Sequence, residues 1–149
     1  MMMIRLKYLL ATGFGTGYSP LIPGTAGSLA AWLAYVLIPL PALYWLLITA
    51  LTVLAGLWAC SALEAAEGKD PGKVVIDEFA GQWLTLIFLP RDIWLLVLGF
   101  FLFRILDILK PYPASRLEQL SGSPGIMLDD LVAAVYANLT LQVICFFLN

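Results

Sequence analysis

The sequence lacks histidine, contains only two cysteines and is poor in charge, with 12% charged and 62% hydrophobic residues among 149. Soluble domains carry about 25% charged residues, so this chain has too little polar surface to cover a water-soluble globule. Two cysteines cannot form the framework of a secreted disulfide-rich domain. A net charge of -2 without a basic cluster excludes nucleic-acid binding, and the apolar content excludes disorder. The composition therefore predicts one integral membrane domain over residues 1–149.

An uncharged run of 56 residues extends from Tyr8 to Leu63, well beyond the roughly 20 residues that span a bilayer. Its first part is rich in glycine and proline as far as Gly27, which predicts a re-entrant or interfacial loop. Five apolar segments follow: Leu29–Ile38, Ala42–Leu63, Val74–Leu89, Ile93–Leu109 and Gly125–Leu148. We therefore predict an all-α polytopic membrane bundle of about five segments. The third reaches only about 24 Å at 1.5 Å per residue, so full crossing by the short first and third segments stays open.

Five segments that alternate in direction place the turns Pro39–Pro41 and Pro90–Asp92 on one side of the membrane. The N-terminus and the loops Glu64–Lys73 and Lys110–Pro124 then lie on the other side. That second side holds six of the eight Lys and Arg residues, whereas only Arg91 lies opposite. Because Lys and Arg favour the cytoplasmic side, we predict a multi-pass protein with a cytoplasmic N-terminus and an external C-terminus.

The same alternation gathers seven ionisable residues at one depth, near the cytoplasmic interface. They are Asp77, Glu78, Arg104, Asp107, Lys110, Asp129 and Asp130. A charge at membrane depth costs roughly 2.5–3.5 kcal/mol, and clustered carboxylates repel one another. A divalent cation resolves both problems, and carboxylate oxygens suit Mg²⁺, Mn²⁺ or Ca²⁺. The five acids therefore predict a metal site; the alternative is a set of interfacial acids that face water or lysines.

Two further patterns indicate anion binding. Arg104, Asp107 and Lys110 are three residues apart and share a helix face, so the two cations could bind a phosphate while Asp107 binds the metal. The alternative is an internal ion-pair ladder. The glycine-rich stretch precedes a helix whose free N–H groups, near Thr25 and Ser28, would also bind an anion. The alternative there is a plain re-entrant loop with Thr25 or Ser28 as helix cap.

With these motifs on one chain, the sequence resembles the bacterial phosphatidylglycerophosphatase A family. The matching segments, in family order, are Ala11–Pro20, Pro23–Ser28, Asp77–Gly81, Phe103–Pro113 and Gly125–Asp130. The resemblance implies a Mg²⁺-dependent lipid phosphatase of the inner membrane, which converts phosphatidylglycerophosphate to phosphatidylglycerol and phosphate. Its Asp-Glu, Arg…Asp…Lys-Pro and Asp-Asp motifs fall on the seven residues named above. Histidines that family members often carry before Asp-Glu are missing from the loop Glu67–Lys73.

The composition also excludes one catalytic route, because a chain without histidine cannot form a phosphohistidine intermediate. Two routes remain: a metal-activated water attacks phosphorus, or an aspartate attacks and forms an aspartyl phosphate. We favour water, with one of Asp77, Asp129 and Asp130 as the base. Arg104 and Lys110 would stabilise the phosphoryl charge, and Thr25 and Ser28 would bind the headgroup phosphate.

Two alternative functions fit the sequence less well than the phosphatase. A CDP-alcohol phosphatidyltransferase is also a carboxylate-and-metal membrane enzyme, but its Asp-Gly-x2-Ala-Arg motif is absent. A small cation transporter would line a through path with carboxylates, whereas the acids here gather at one end. The partners that we expect are a bilayer phospholipid and the membrane, with no nucleic acid, and no protein partner can be inferred.

Overall fold

A computed structural model describes residues 2–148, and every regular element in that range is helical, which confirms the all-α prediction. A 3₁₀ segment, Gly13–Tyr18, follows the first helix. The α-helices are α1 (Met2–Ala11), α2 (Pro23–Leu37), α3 (Ala42–Glu67), α4 (Ile76–Leu86), α5 (Ile93–Leu109), α6 (Ala114–Leu117) and α7 (Ser123–Leu148).

The prediction of about five membrane segments is wrong by the criteria of length and hydropathy. Within the described residues, two helices are long and apolar enough to cross a bilayer: Ala42–Glu67 and Ser123–Phe147. At 1.5 Å per residue, α3 is about 39 Å long, whereas α2, α4 and α5 reach only about 22, 16 and 26 Å. The bundle therefore combines two long helices with shorter ones, and α2, α4 and α5 are each shorter than a bilayer core.

Helix α2 begins earlier than predicted, at Pro23 instead of Leu29, because proline suits the first turn of a helix, where its missing N–H costs nothing. The residue that precedes the helix is Ile22, so neither Thr25 nor Ser28 is the cap. The glycine-rich stretch before it is a compact 3₁₀ turn in which Gly15 has a φ of 97°. Helices α1 and α6 were not predicted.

Small residues let the helices approach closely around α4, which contacts α2, α3, α5 and α7. A Cβ on Gly81 would lie 2.5 Å from the Phe103 ring, and a Cβ on Gly27 would lie 2.8 Å from Val75 Cβ. Phe103 is fully buried at this contact. These close contacts fix α4 between its neighbours and hold its first turn, which carries Asp77 and Glu78, in place.

The helices alternate in direction, as predicted, so the starts of α2, α4 and α7 meet the ends of α3 and α5 at one end of the bundle. At the opposite end, polar side chains satisfy backbone carbonyls. Asn138 Nδ2 donates to the carbonyls of Thr85 and Ile87, at 2.9 and 2.8 Å. The Arg91 guanidinium donates to the carbonyls of Tyr35, in the last turn of α2, and of Ile38, which follows that helix. The acidic clusters therefore lie together at the first end only.

Candidate active site

A cavity of about 620 Å³ opens at the end of the bundle where the acidic motifs meet. All five predicted carboxylates line it, together with Lys110: Asp77, Glu78, Asp107, Asp129 and Asp130. Four of the five acids are buried, with Asp77 half-buried. The sequence therefore correctly predicted that residues from three separate helices converge on one site.

Arg104 lies beside the cavity and contacts two of these acids. Its Nη1 atom forms an ion pair with Glu78 and another, at 3.0 Å, with Asp107 Oδ2. Ser28 Oγ, fully buried, donates a hydrogen bond to Glu78 Oε2 at 2.7 Å. Gly24 packs directly on Glu78, since a Cβ there would collide with Oε1. The first turns of α2 thus hold Glu78 and Arg104 in a fixed arrangement.

Lys110 forms the second charged contact. It lies at the end of α5 in a left-handed conformation, φ 45°, and its Nζ donates to Asp129 Oδ2 at 2.5 Å and to Glu118 Oε1 at 2.9 Å. Partial burial favours the neutral amine, but the two carboxylates outweigh it and raise the pKa of Lys110 above its ordinary value. Lys110 therefore keeps its charge below its ordinary pKa of about 10.4 and loses it only at higher pH.

Two buried carboxylate oxygens have no hydrogen-bond partner among the described residues: Asp129 Oδ1 and Asp130 Oδ2. Asp130 is 3% exposed, and Asp77 and Glu78 lie near enough to repel it. A buried, unpaired carboxylate is unfavourable, and oxygen-only donors of this kind fit Mg²⁺. No group of three or more acids among the described residues is arranged as a metal site. Three of the five are instead paired with Arg104 and Lys110.

The remaining predicted residues lie outside the cavity. Ser28 lies behind Glu78, Thr25 is half-buried, and neither lines the cavity wall. Their assignment to phosphate binding stays a prediction, as do the catalytic and metal-binding assignments of the acids. Of the alternative ion-pair ladder along α5, only the Arg104–Asp107 pair forms, because Lys110 pairs with Asp129 of α7 instead.

Sequence analysis missed Glu118, which contacts Lys110 from the end of α6. It stands eight residues after Lys110 in an irregular stretch, where no periodicity indicates its position. Gly24 belongs to the glycine-rich stretch that the sequence analysis singled out. The sequence alone does not show that this glycine packs against Glu78.

The fold and the cavity define a class, the α-helical proteins with two helices of membrane length and a carboxylate-lined cavity at one end of the bundle. The family model for Phosphatidylglycerophosphatase A matches residues 9–145. The chain belongs to the phosphatidylglycerophosphatase A family and is a phosphatase. This confirms the resemblance drawn from the motifs.

Curated relatives carry two kinds of description. A protein of Bacteroides thetaiotaomicron, described as a candidate phosphatidylinositol-3-phosphatase, is 45% identical over 148 residues, covering 93% of this chain and 92% of the relative. Phosphatidylglycerophosphatase A of Escherichia coli is 44% identical over 134 residues, covering 86% and 77%. Phosphatidylglycerophosphatase A of Haemophilus influenzae is 42% identical over 135 residues, covering 87% and 83%. No solved structure matches the chain significantly.

Proposed function

We propose that this phosphatase hydrolyses the terminal phosphomonoester of phosphatidylglycerophosphate to phosphatidylglycerol and phosphate, at the cytoplasmic face of the bacterial inner membrane. Family membership and the two relatives named phosphatidylglycerophosphatase A support the reaction. The observation that carries the proposal is the cavity in which five carboxylates and Lys110 meet beside Arg104. In this proposal the cationic side chains bind the phosphomonoester, and the acidic side chains bind a metal ion.

Arg104 and Lys110 are the phosphate-binding groups in this proposal. Each now contacts two carboxylates, and both lie at the same end of the bundle. A phosphoryl dianion would replace some of these carboxylates, and the guanidinium offers the planar pair of donors that suits phosphate oxygens. Charge that develops on the phosphoryl oxygens during the reaction is then stabilised by cations already in place.

The acids Asp77, Glu78, Asp107, Asp129 and Asp130 would hold Mg²⁺, with the unpaired oxygens of Asp129 and Asp130 as its first ligands. When bound, the cation offsets the carboxylate charge and acts as a Lewis acid toward phosphate and water. The ion pairs to Arg104 and Lys110 must rearrange as this happens, because three of the acids are engaged in them.

The attacking group is a water molecule, and one of Asp77, Asp129 and Asp130 accepts its proton. The water oxygen forms a bond to phosphorus, the bond from phosphorus to the glycerol oxygen breaks, and that oxygen leaves as a hydroxyl after protonation. In ¹⁸O water, a single turnover then places one labelled oxygen in the released phosphate, and acid quenching during turnover traps no phosphorylated protein. A phosphorylated aspartate trapped by the quench would show that the acid attacks instead.

The membrane arrangement is multi-pass, with the N-terminus and the cavity on the cytoplasmic side. Two helices of membrane length and family membership support a membrane protein. The Lys and Arg bias across the alternating helices supports the orientation, since six of eight such residues lie in the N-terminal segment and the loops around the cavity. A cavity at the interface lies where a lipid phosphate lies, so the substrate remains in the bilayer.

The test is phosphate release by the purified protein from four substrates. They are phosphatidylglycerophosphate, phosphatidic acid, phosphatidylinositol 3-phosphate and a soluble phosphomonoester. We expect the highest kcat/KM for phosphatidylglycerophosphate. A preference for phosphatidylinositol 3-phosphate, the substrate in the name of the Bacteroides relative, would overturn the substrate assignment. Asp129→Asn is the inactive control. Cation flux in liposomes without phosphate release would instead favour the transporter, which nothing in the cavity favours.

A further inference from the structure

Both cations assigned to phosphate binding already pair with carboxylates. Arg104 pairs with Glu78 and Asp107, and Lys110 pairs with Asp129 and Glu118. A phosphate that takes the place of one of these partners must displace a carboxylate. Which of the four leaves depends on the free energy of returning it to water.

The four carboxylates differ sharply in their exposure. The side chains of Glu78, Asp107 and Asp129 are 9, 10 and 5% exposed, whereas that of Glu118 is 45% exposed. A half-exposed ion pair contributes little to stability because water already solvates it, whereas separating a buried pair leaves a buried charge uncompensated. Glu118 is thus the carboxylate whose release costs least.

The position of Glu118 in the chain favours the same conclusion. It ends the four-residue helix α6, in a connection that reaches α7 through Gly122 with a φ of 83°. Asp129, which also forms an ion pair with Lys110, lies instead within the long helix α7. A short irregular connection moves at lower cost than a packed helix.

We propose that Glu118 is a displaceable internal anion, which occupies the place on Lys110 that the terminal phosphate of the substrate takes. This inference rests on the proposed function. Glu118 returns to Lys110 after the phosphate has left, and a ligand must outcompete it to bind.

The competition acts on each ligand according to its charge. A phosphomonoester dianion attracts Lys110 more strongly than the Glu118 carboxylate does, and therefore displaces that carboxylate. The phosphodiester that remains in the lipid product carries one negative charge, so it has no such advantage over Glu118. Glu118 therefore weakens the binding of both ligands, and the lipid product is held too weakly to remain on Lys110.

The test compares Glu118→Gln with the unaltered protein. Glutamine keeps the shape of the side chain and removes its charge, so Lys110 loses a competitor. We expect KM for phosphatidylglycerophosphate and the inhibition constant for inorganic phosphate to fall together, about two- to fivefold, the range for an ion pair that is half exposed. Inhibition by phosphatidylglycerol should also strengthen. Glu118→Asp, which keeps the charge, should stay nearer to the unaltered protein.

Glu67→Gln is the matched control, because Glu67 also forms a partly exposed ion pair, to Lys73 at 2.7 Å, but outside the cavity. It should leave both constants within twofold. A KM that is unchanged or raised in Glu118→Gln, with phosphate inhibition unchanged, would overturn the inference while the unaltered enzyme still releases phosphate. Calorimetric titration with inorganic phosphate tests the same displacement without turnover. Failure of the unaltered protein to hydrolyse phosphatidylglycerophosphate contradicts the proposed function instead.

Discussion

At the scale of single residues, the site combines acids that are paired with cations and two, Asp77 and Asp130, that form no ion pair among the described residues. Arg104 and Lys110 together pair with Glu78, Asp107 and Asp129. Asp130 is as buried as these acids, yet its Oδ2 atom has no partner among the described residues. An unpaired buried carboxylate weakens a fold, so its presence indicates a functional requirement.

Asp130→Asn should therefore separate stability from activity. The variant removes a buried charge, so without metal we expect unfolding to become less favourable by about 1–2 kcal/mol, within the usual range for point substitutions. Phosphate release should fall about 100-fold or more, as when a charge-stabilising group is removed from an active site. Thermal unfolding in detergent with EDTA and a phosphate assay measure the two effects. A variant that is both fully active and less stable would contradict this account of Asp130.

At the scale of elements, the start of α2 acts as the back wall of the site. Gly24 packs on Glu78, and a Cβ at Gly27 would lie 2.8 Å from Val75 Cβ. Ser28, one turn further along, donates to Glu78. The glycines are needed here because a side chain at Gly24 would displace the Glu78 carboxylate from Arg104, and one at Gly27 would collide with Val75 just before α4.

Gly24→Ala tests this close approach. The added methyl collides with Glu78 Oε1 and lies 3.2 Å from Arg104 Nη2, so we expect phosphate release to fall about tenfold or more through misplacement of these groups. Gly72→Ala is the matched control, since a Cβ there meets no described atom within 4 Å. Equal activity of the two variants would show that the contact of α2 with Glu78 has no role in turnover.

The convergence of the acids could be predicted from the sequence. The apolar segments and the turns between them indicate helices that alternate in direction, and the acids lie at the ends that this alternation brings together. The sequence did not predict the start of α2, because Pro23 and Gly24 are typical of a loop as well as of a first helical turn. The pairing of Ser28 with Glu78 spans 50 residues and depends on how two helices pack. The contact of Glu118 with Lys110 depends on an irregular connection, for which the sequence has no period.

At the scale of the whole molecule, the bundle concentrates its charge at one end. The acids, Lys110 and the loop between α3 and α4 surround the cavity, whereas Arg91 caps α2 at the opposite end. The two long helices exceed the thickness of a bilayer core, and α4 is much shorter than one. Helix α4 packs against both long helices and α5 packs against α7, whereas α2 packs on α4 and α5.

Single-cysteine labelling tests the orientation. Pro90 and Gly72 are exposed at opposite ends of the bundle, so a cysteine at either position should leave the packing unchanged. We expect an impermeant maleimide to label Pro90→Cys in intact spheroplasts and Gly72→Cys only after the membrane is opened, because the proposed orientation places the cavity end in the cytoplasm. The reverse pattern would place the cavity on the external side.

The central claim is that the buried acids hold a divalent cation on which phosphate release from the lipid depends. The most direct measurement is phosphate release from phosphatidylglycerophosphate by purified protein that has been treated with EDTA and then titrated with Mg²⁺. We predict that EDTA abolishes the activity and that Mg²⁺ restores it in a saturable way, and that Asp129→Asn is not restored under the same conditions. Full activity in EDTA, or complete rescue of Asp129→Asn by saturating Mg²⁺, would contradict the claim.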